Sequence, residues 1–353
     1  MVEAFIGGSG IVVLQLALLT AALGLAVACM AFYFTAIEGA LLALPFLLAP
    51  TPVFLCWRAL TETLCLVLSL VLVALVVRGL CGPQVLWAIF LGSLLAVTKP
   101  AFVTAFGIAL LLLTASVLLK RRGRMSSWPV IGALGALSPV IAQLTFSRAA
   151  VGTLSLSNAS TENLSRRFYP AVVAEVEHGP GRWRDGYKSK FAATVLKRKL
   201  SHDEQAAYLK RNSSAAWRTY RTILMDQHLL APSQFVLDRD TRKRVPRSVE
   251  KKRSALKGWS GHVNRFFTLL HATFAPVLFA AAVMLRRERA VWIAVGCFGV
   301  AASILLGAPL VYLQADRIII AAMPYWAAAY VLVGGCIARK LLRRLRPQQA
   351  GRT

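Results

Sequence analysis

The sequence predicts an all-α polytopic membrane protein with about 8–9 transmembrane helices, interrupted once by a large, mostly helical extracytoplasmic insert. Three observations predict it. Of 353 residues, 57% are hydrophobic and the mean hydropathy is +0.60, too apolar for an ordinary soluble domain. Long apolar runs alternate with short basic clusters at every second junction. One long polar stretch, 147–267, separates two groups of such runs.

A spanning helix needs about 20 mostly apolar residues. The runs fall at 11–34, 40–52, 61–78, 83–98, 101–119, 128–146, 268–285, 290–312 and 318–338. The run at 40–52 is short. Its Pro45, Pro50 and Pro52 predict a kinked or broken helix, tolerated where protein or water satisfies the freed backbone groups. The chain therefore divides into an N-terminal membrane block (1–146), the insert (147–267), a C-terminal membrane block (268–338) and a basic tail (339–353).

Charge orients the runs. Arg78, the Lys120–Arg124 cluster, the Arg286–Arg289 cluster and the tail with Arg339, Lys340, Arg343, Arg344 and Arg346 follow successive spans. A charged side chain costs roughly 2.5–3.5 kcal/mol at the centre of a spanning helix, so such clusters mark helix ends, and short basic loops stay cytoplasmic. With the tail inside, all four clusters fall inside, together with Glu38. Thr51–Thr63, Thr98-Lys99-Pro100, the insert and Gln314–Arg317 fall outside. The insert is itself basic, with 24 Lys/Arg against 10 Asp/Glu between 147 and 265. Long domains translocate largely regardless of charge, so the short loops decide. The expected location is the bacterial inner membrane, multi-pass, with the C-terminus cytoplasmic and 147–267 periplasmic or extracellular. The same walk puts Met1 outside. That is also what remains if one upstream helix and its outer loop are missing.

In a soluble protein the net charge of +26 would point to nucleic acid. Here much of it sits in topology-setting loops and the tail, and no nucleic-acid partner is expected. Cys29, Cys56, Cys65, Cys81, Cys297 and Cys336 lie in or beside apolar runs and read as small core residues. The five histidines are scattered, and no metal-ligand spacing occurs.

Within the insert, Ser201 followed by Glu204 forms a capping-box pattern that opens a helix from His202. Ala206, Tyr208, Leu209, Trp217, Tyr220 and Leu224 continue it at helical spacing. Two roles stay open for this helix: lying on the membrane face, or packing onto its own domain. The basic run Arg242–Arg253 suits anionic headgroups or a phosphate-bearing substrate, or is a solvated loop. Sequons at Asn158, Asn163 and Asn212 read as chance matches outside a eukaryotic secretory pathway.

Few charges sit at the outer helix ends. They are Arg58 and Glu62, four apart on one helical face, then Lys99 before Pro100, and Asp316 with Arg317. Ionisable groups at membrane depth are functional candidates, and helix-end anchoring is the alternative. These junctions resemble those of the GT-C glycosyltransferases, polytopic enzymes that take a sugar from a polyprenyl-phosphate carrier. Leu41–Glu62 (LLALPFLLAPTPVFLCWRALTE) is similar to that family's Pro-terminated helix, outer turn and acidic opening of the next helix. Leu91–Phe102 (LGSLLAVTKPAF) is similar to its Gly-containing helix ending Thr-Lys/Arg-Pro, and Tyr312–Trp326 (YLQADRIIIAAMPYW) to its C-terminal Arg…Pro segment.

The resemblance implies inverting sugar transfer from a polyprenyl-phosphate-sugar donor to an extracytoplasmic glycan, lipid or protein acceptor. It implies no certain cofactor and leaves room for a divalent cation. Arg58, Lys99 and Arg317 would bind the donor phosphate and stabilise its departure. Asp316 joins them as a substrate-binding candidate. A carboxylate would deprotonate the acceptor, and Glu62 is the nearest candidate for that base. The family carries its acidic base on the outer loop between its first two helices. Here that loop would precede Met1, where only Glu3 stands before the first run, so the chain is expected to be shortened and inactive as given. A lipid-linked-saccharide flippase or other transporter, and a non-catalytic membrane subunit, are the rival expectations.

Overall fold

The computed structural model describes residues 2–48, 61–79, 83–98, 102–103, 106–107, 135–151, 164–187, 189–198, 200–223, 273–285, 288–311 and 315–345. Among them every regular element is helical. The first helices are α1 (Val2–Tyr33), α2 (Ala36–Leu48), α3 (Thr61–Arg78), α4 (Pro83–Thr98) and α5 (Ser138–Val151). A π turn (Leu164–Phe168), α6 (Tyr169–Glu177), a 3-10 turn (Trp183–Tyr187), α7 (Ser189–Leu196), α8 (His202–Arg211) and α9 (Ser213–Ile223) follow. The last three are α10 (Thr273–Met284), α11 (Arg289–Val311) and α12 (Ala315–Leu345).

The sequence runs at 61–78 and 83–98 coincide with α3 and α4. Helix α2 continues through Pro45 instead of breaking there. An interior proline removes one N–H and crowds the carbonyl four residues back, and here Pro45 is buried within the helix block. Pro50, Pro52 and most of the run at 101–119 lie outside the described residues.

Helix α12 stands at the centre of an apolar block and packs against α11, α3 and α2; α1 covers α2 and α3. From Ala322 to Val333 nearly every residue of α12 is buried, whichever way it points. Four alanines in that stretch, Ala322, Ala327, Ala328 and Ala329, let neighbouring backbones come close, as small residues do between apolar helices. Phe274 of α10 wedges between Tyr330 of α12 and Phe298 of α11, with ring centroids 4.0 and 6.1 Å away. Helix α4 leans on α3 and carries α5. The Ser93 hydroxyl meets the Ala136 carbonyl at 2.7 Å just before α5. Gly92 leaves room for the Phe106 ring, which a Cβ there would meet at 2.6 Å.

The outward faces of the block are apolar too. Val13, Leu18 and Phe32 of α1, Ile37 and Leu47 of α2, and Phe279 and Met284 of α10 all project outward, Phe32 with 82% of its surface exposed. One described stretch, Gly10–Tyr33 of α1, is long and apolar enough to cross a bilayer by length and composition. The apolar stretches Ala36–Leu48, Thr63–Arg78, Gln84–Thr98, Thr273–Met284 and Arg289–Leu305 are shorter.

Residues 164–223 form a separate small helical module. Helix α6 is its core, buried from Tyr169 to Glu175. Phe168, Ala171, Val172, Trp183, Ala215 and Ile223 gather on one side of it, and Val173 and Val195 with Tyr169 on the other. Gly186 lies flat on α6, where a Cβ would overlap the Pro170 carbonyl and Ala171 backbone. The capping box forms: Ser201 Oγ accepts from the Glu204 amide, and the Glu204 carboxylate accepts from the Ser201 amide at 2.7 Å. The helix it opens does not run on to Trp217. It ends at Asn212, whose side-chain amide donates to the Tyr208 carbonyl, and α9 restarts at Ser213. Helix α9 and the π turn touch α11, which joins the module to the block.

Candidate functional site

Arg58 and Lys99 lie outside the described residues. Glu62 is the second residue of α3. Asp316 and Arg317 sit in the first turn of α12, which begins at Ala315 instead of after them. A shared pocket for Arg58, Lys99 and Arg317 therefore lies outside what the structure describes.

What the structure does bring together is a second set of charges, at the other helix ends. Thr35 opens α2, its hydroxyl accepting from the Glu38 amide at 3.2 Å and donating to Glu38 Oε2 at 2.9 Å. That fixes the Glu38 side chain across the first turn of α2, pointing into the block with 3% of it exposed. There Arg339 Nη1 donates to Oε1 at 2.6 Å. The carboxylate fits because α12 carries Gly335 at the crossing, where any Cβ would overlap Glu38 Oε1. Gly39 on the next position lies close to the Val27 carbonyl and Ala31 of α1. Phe34 lies under the Arg339 guanidinium, 6.0 Å from ring centre to Cζ.

A second tie lies between α3 and α11. Arg289 Nη2 donates to the Val77 carbonyl at 2.9 Å, one of the end carbonyls that no intrahelical N–H reaches. The chain then turns at Gly79 with φ +119, a left-handed conformation that L side chains rarely adopt. A Cβ there would also meet Arg289 Nη2 at 2.7 Å. These two ties connect the junctions at 35–38, 77–79, 288–289 and 339, through four separate helices. Each is a charged or hydrogen-bonded lock, chemically suited to holding helix ends in register.

The module has its own electrostatics. Glu175, nearly fully buried, accepts from the Gly181 amide at 2.8 Å and faces Arg218 Nε at 3.6 Å. Gly179 and Gly181 have φ +94 and +84, so the loop curls back onto that carboxylate. Arg198 donates to Glu177 at 2.8 Å, and the bond raises the guanidinium pKa above its ordinary value. Asp185 lies 3.6 Å from His178 and 3.9 Å from Arg182. Ser165 Oγ and His202 Nδ1 are 3.0 Å apart. Burial raises the pKa of Tyr169 and of Tyr208, which meet edge to face. On the outside of α9, Trp217 stacks on Tyr220 at 5.5 Å with the rings 22° apart.

Among the described residues no group of three or more His, Cys, Asp and Glu could hold a metal ion. Cys65, Cys297 and Cys336 are buried in the core. Sequence reasoning put Glu38 and Arg339 on one side of the membrane but did not pair them. The available signals were a lone acid opening an apolar run and the Gly334-Gly335 pair one turn before the basic tail. No family model matches the chain, and no curated protein or solved structure does either.

Proposed function

We propose that this chain is a polytopic inner-membrane protein that handles a polyprenyl-phosphate-linked sugar at its outer face, as a glycosyltransferase of the GT-C kind. The observation that carries the membrane reading is the apolar exterior of the helix block. Val13, Phe32, Ile37, Leu47 and Phe279 face outward on helices whose inward faces are equally apolar. A helix that is hydrophobic all round is a core helix or a membrane span, and among the described residues nothing covers these outward faces. The two ties support placing these four junctions on one membrane face. They join the junctions that the charge pattern assigns to the cytoplasm, and no residue assigned to the outside takes part in them.

The sugar-transfer reading rests on the outer junctions. Arg58, Lys99 and Arg317 would hold the lipid phosphate, with Glu62 and Asp316 as the nearby carboxylates. Such a cation–phosphate contact is worth about 1.5–3 kcal/mol. Lys99→Ala should therefore weaken binding of a polyprenyl phosphate by one to two orders of magnitude, roughly, and Lys99→Arg less. Two measurements test this. A cysteine placed in 147–267 should react with an impermeant thiol reagent in intact spheroplasts, and labelling only after lysis overturns the orientation. Unchanged polyprenyl-phosphate binding by Lys99→Ala and Arg317→Ala would leave the membrane reading intact and remove the donor site, favouring a non-catalytic subunit.

A further inference from the structure

We infer that the exposed face of α9 is a docking surface for the anionic lipid headgroups of the membrane that holds the apolar block. This inference rests on the membrane reading above. Helix α9 has two unlike faces. Ala215, Thr219 and Ile223, spaced four apart, are buried against the module. Ser214, Trp217, Arg218 and Arg221 share the opposite face, and Trp217 is 63% exposed. A large indole left in water, stacked on a tyrosine and flanked by arginines, is poorly suited to a solvated helix. It suits a bilayer interface, where amphipathic rings lie at headgroup level.

Charge names the occupant. Residues 164–223 contain thirteen Lys/Arg and five Asp/Glu, a net +8. Four of the five acids are committed inside the module: Glu175 to Arg218 and Gly181, Glu177 to Arg198, Asp185 to Arg182, and Glu204 to Ser201. Lys210 and Arg211 at the end of α8 and Arg221 on α9 are exposed, and no ion pair to an acid among the described residues holds them. The surface offers cations and an aromatic wedge, which complements phosphate headgroups over acyl chains. Position agrees, because α9 touches α11, one of the apolar helices. A helix against a membrane span has the bilayer surface within reach.

The test uses the full chain in nanodiscs, where both faces meet solvent. Trp217 emission is isolated as the difference between wild type and Trp217→Phe. In discs containing phosphatidylglycerol brominated high on its acyl chains, that emission should be quenched, and iodide should quench it little. Arg211→Glu with Arg221→Glu should reverse both effects, since each basic residue near an anionic surface is worth roughly fivefold in partitioning. Pure phosphatidylcholine discs should give weaker bromine quenching. Emission open to iodide and blind to bromine overturns the inference, as does equal quenching in both lipids. Protection from iodide without bromine quenching replaces the lipid with a protein partner. Trp87 of α4, also exposed, is the control. If the wild type minus Trp87→Phe difference is quenched by bromine and that of Trp217 is not, the membrane reading stands and the docking face falls; if neither is quenched, the membrane reading itself fails.

Discussion

Breaking the Glu38–Arg339 pair from its two sides should have unequal costs. Glu38 is almost wholly buried, whereas Arg339 has 34% of its side chain exposed. Arg339→Ala strands a buried carboxylate whose remaining partner is the Thr35 hydroxyl. Stranding a fully buried ion costs about 3–5 kcal/mol. Partial exposure at the Arg339 end lets water reach the group, so we expect about 2.5 kcal/mol. Glu38→Ala strands a guanidinium that is already one-third exposed and can swing outward on its long stem, at about 1 kcal/mol. The double variant leaves no orphan charge and should cost about 1.5 kcal/mol, giving a coupling near 2 kcal/mol. The assay is thermal unfolding in micelles, followed by far-ultraviolet circular dichroism. At roughly 2 °C of Tm per kcal/mol for a long chain, Arg339→Ala should lower Tm by about 5 °C. Gly335→Ala should imitate it, because the new methyl evicts the carboxylate, and Glu38→Ala should suppress that defect. Equal costs for the two single variants, or additivity in the double, would refute the buried-pair account.

Gly79→Ala should destabilise by about 1–3 kcal/mol, from the positive φ and the displaced Arg289, seen as a lower Tm. Ser201→Ala should speed amide exchange at the start of α8 roughly fivefold, the usual loss for a Ser N-cap. The Glu204 carboxyl is held below its ordinary value of 4.5 by the Ser201 amide and hydroxyl. Its contribution is therefore in place above pH 4.5 and lost as pH falls through the lowered folded value, which amide exchange along α8 should follow. Glu175→Ala should expose the Gly181 amide and release Arg218, costing the module about 1–3 kcal/mol by denaturant titration.

Local signals were legible in the sequence where the cause is local. The capping box at Ser201 and Glu204 needs only a four-residue spacing, and it forms. The ends of α3 and α4 follow from Arg78 and from Pro83 with Thr98, and they fall where the charges and turn residues stand. Asn212 was harder: helical spacing continues past it, and there both its backbone N–H and its side-chain amide donate to the Tyr208 carbonyl as α8 ends. At Pro45 the expected break does not occur: α2 runs on to Leu48 with that proline buried. The Glu38–Arg339 contact was beyond reach. Its partners are 301 residues apart, and the condition that permits it is an absent side chain at Gly335. The outer charges drew attention because they were few, and Arg58 and Lys99 lie outside the described residues.

The central place of α12 has a consequence for biosynthesis. It is the last described helix to be made, yet α2 and α3 close around it. At about 5–20 residues per second, the 301 residues between Glu38 and Arg339 take roughly 15–60 s to translate. During that interval α1, α2 and α3 can pack on one another but lack their central helix, and Glu38 lacks its Arg339 partner. A nascent chain in that state offers a chaperone, or a quality-control protease, a side chain that finds its partner only when synthesis reaches Arg339. Release of the early helices from such surveillance would then report that α12 has been made.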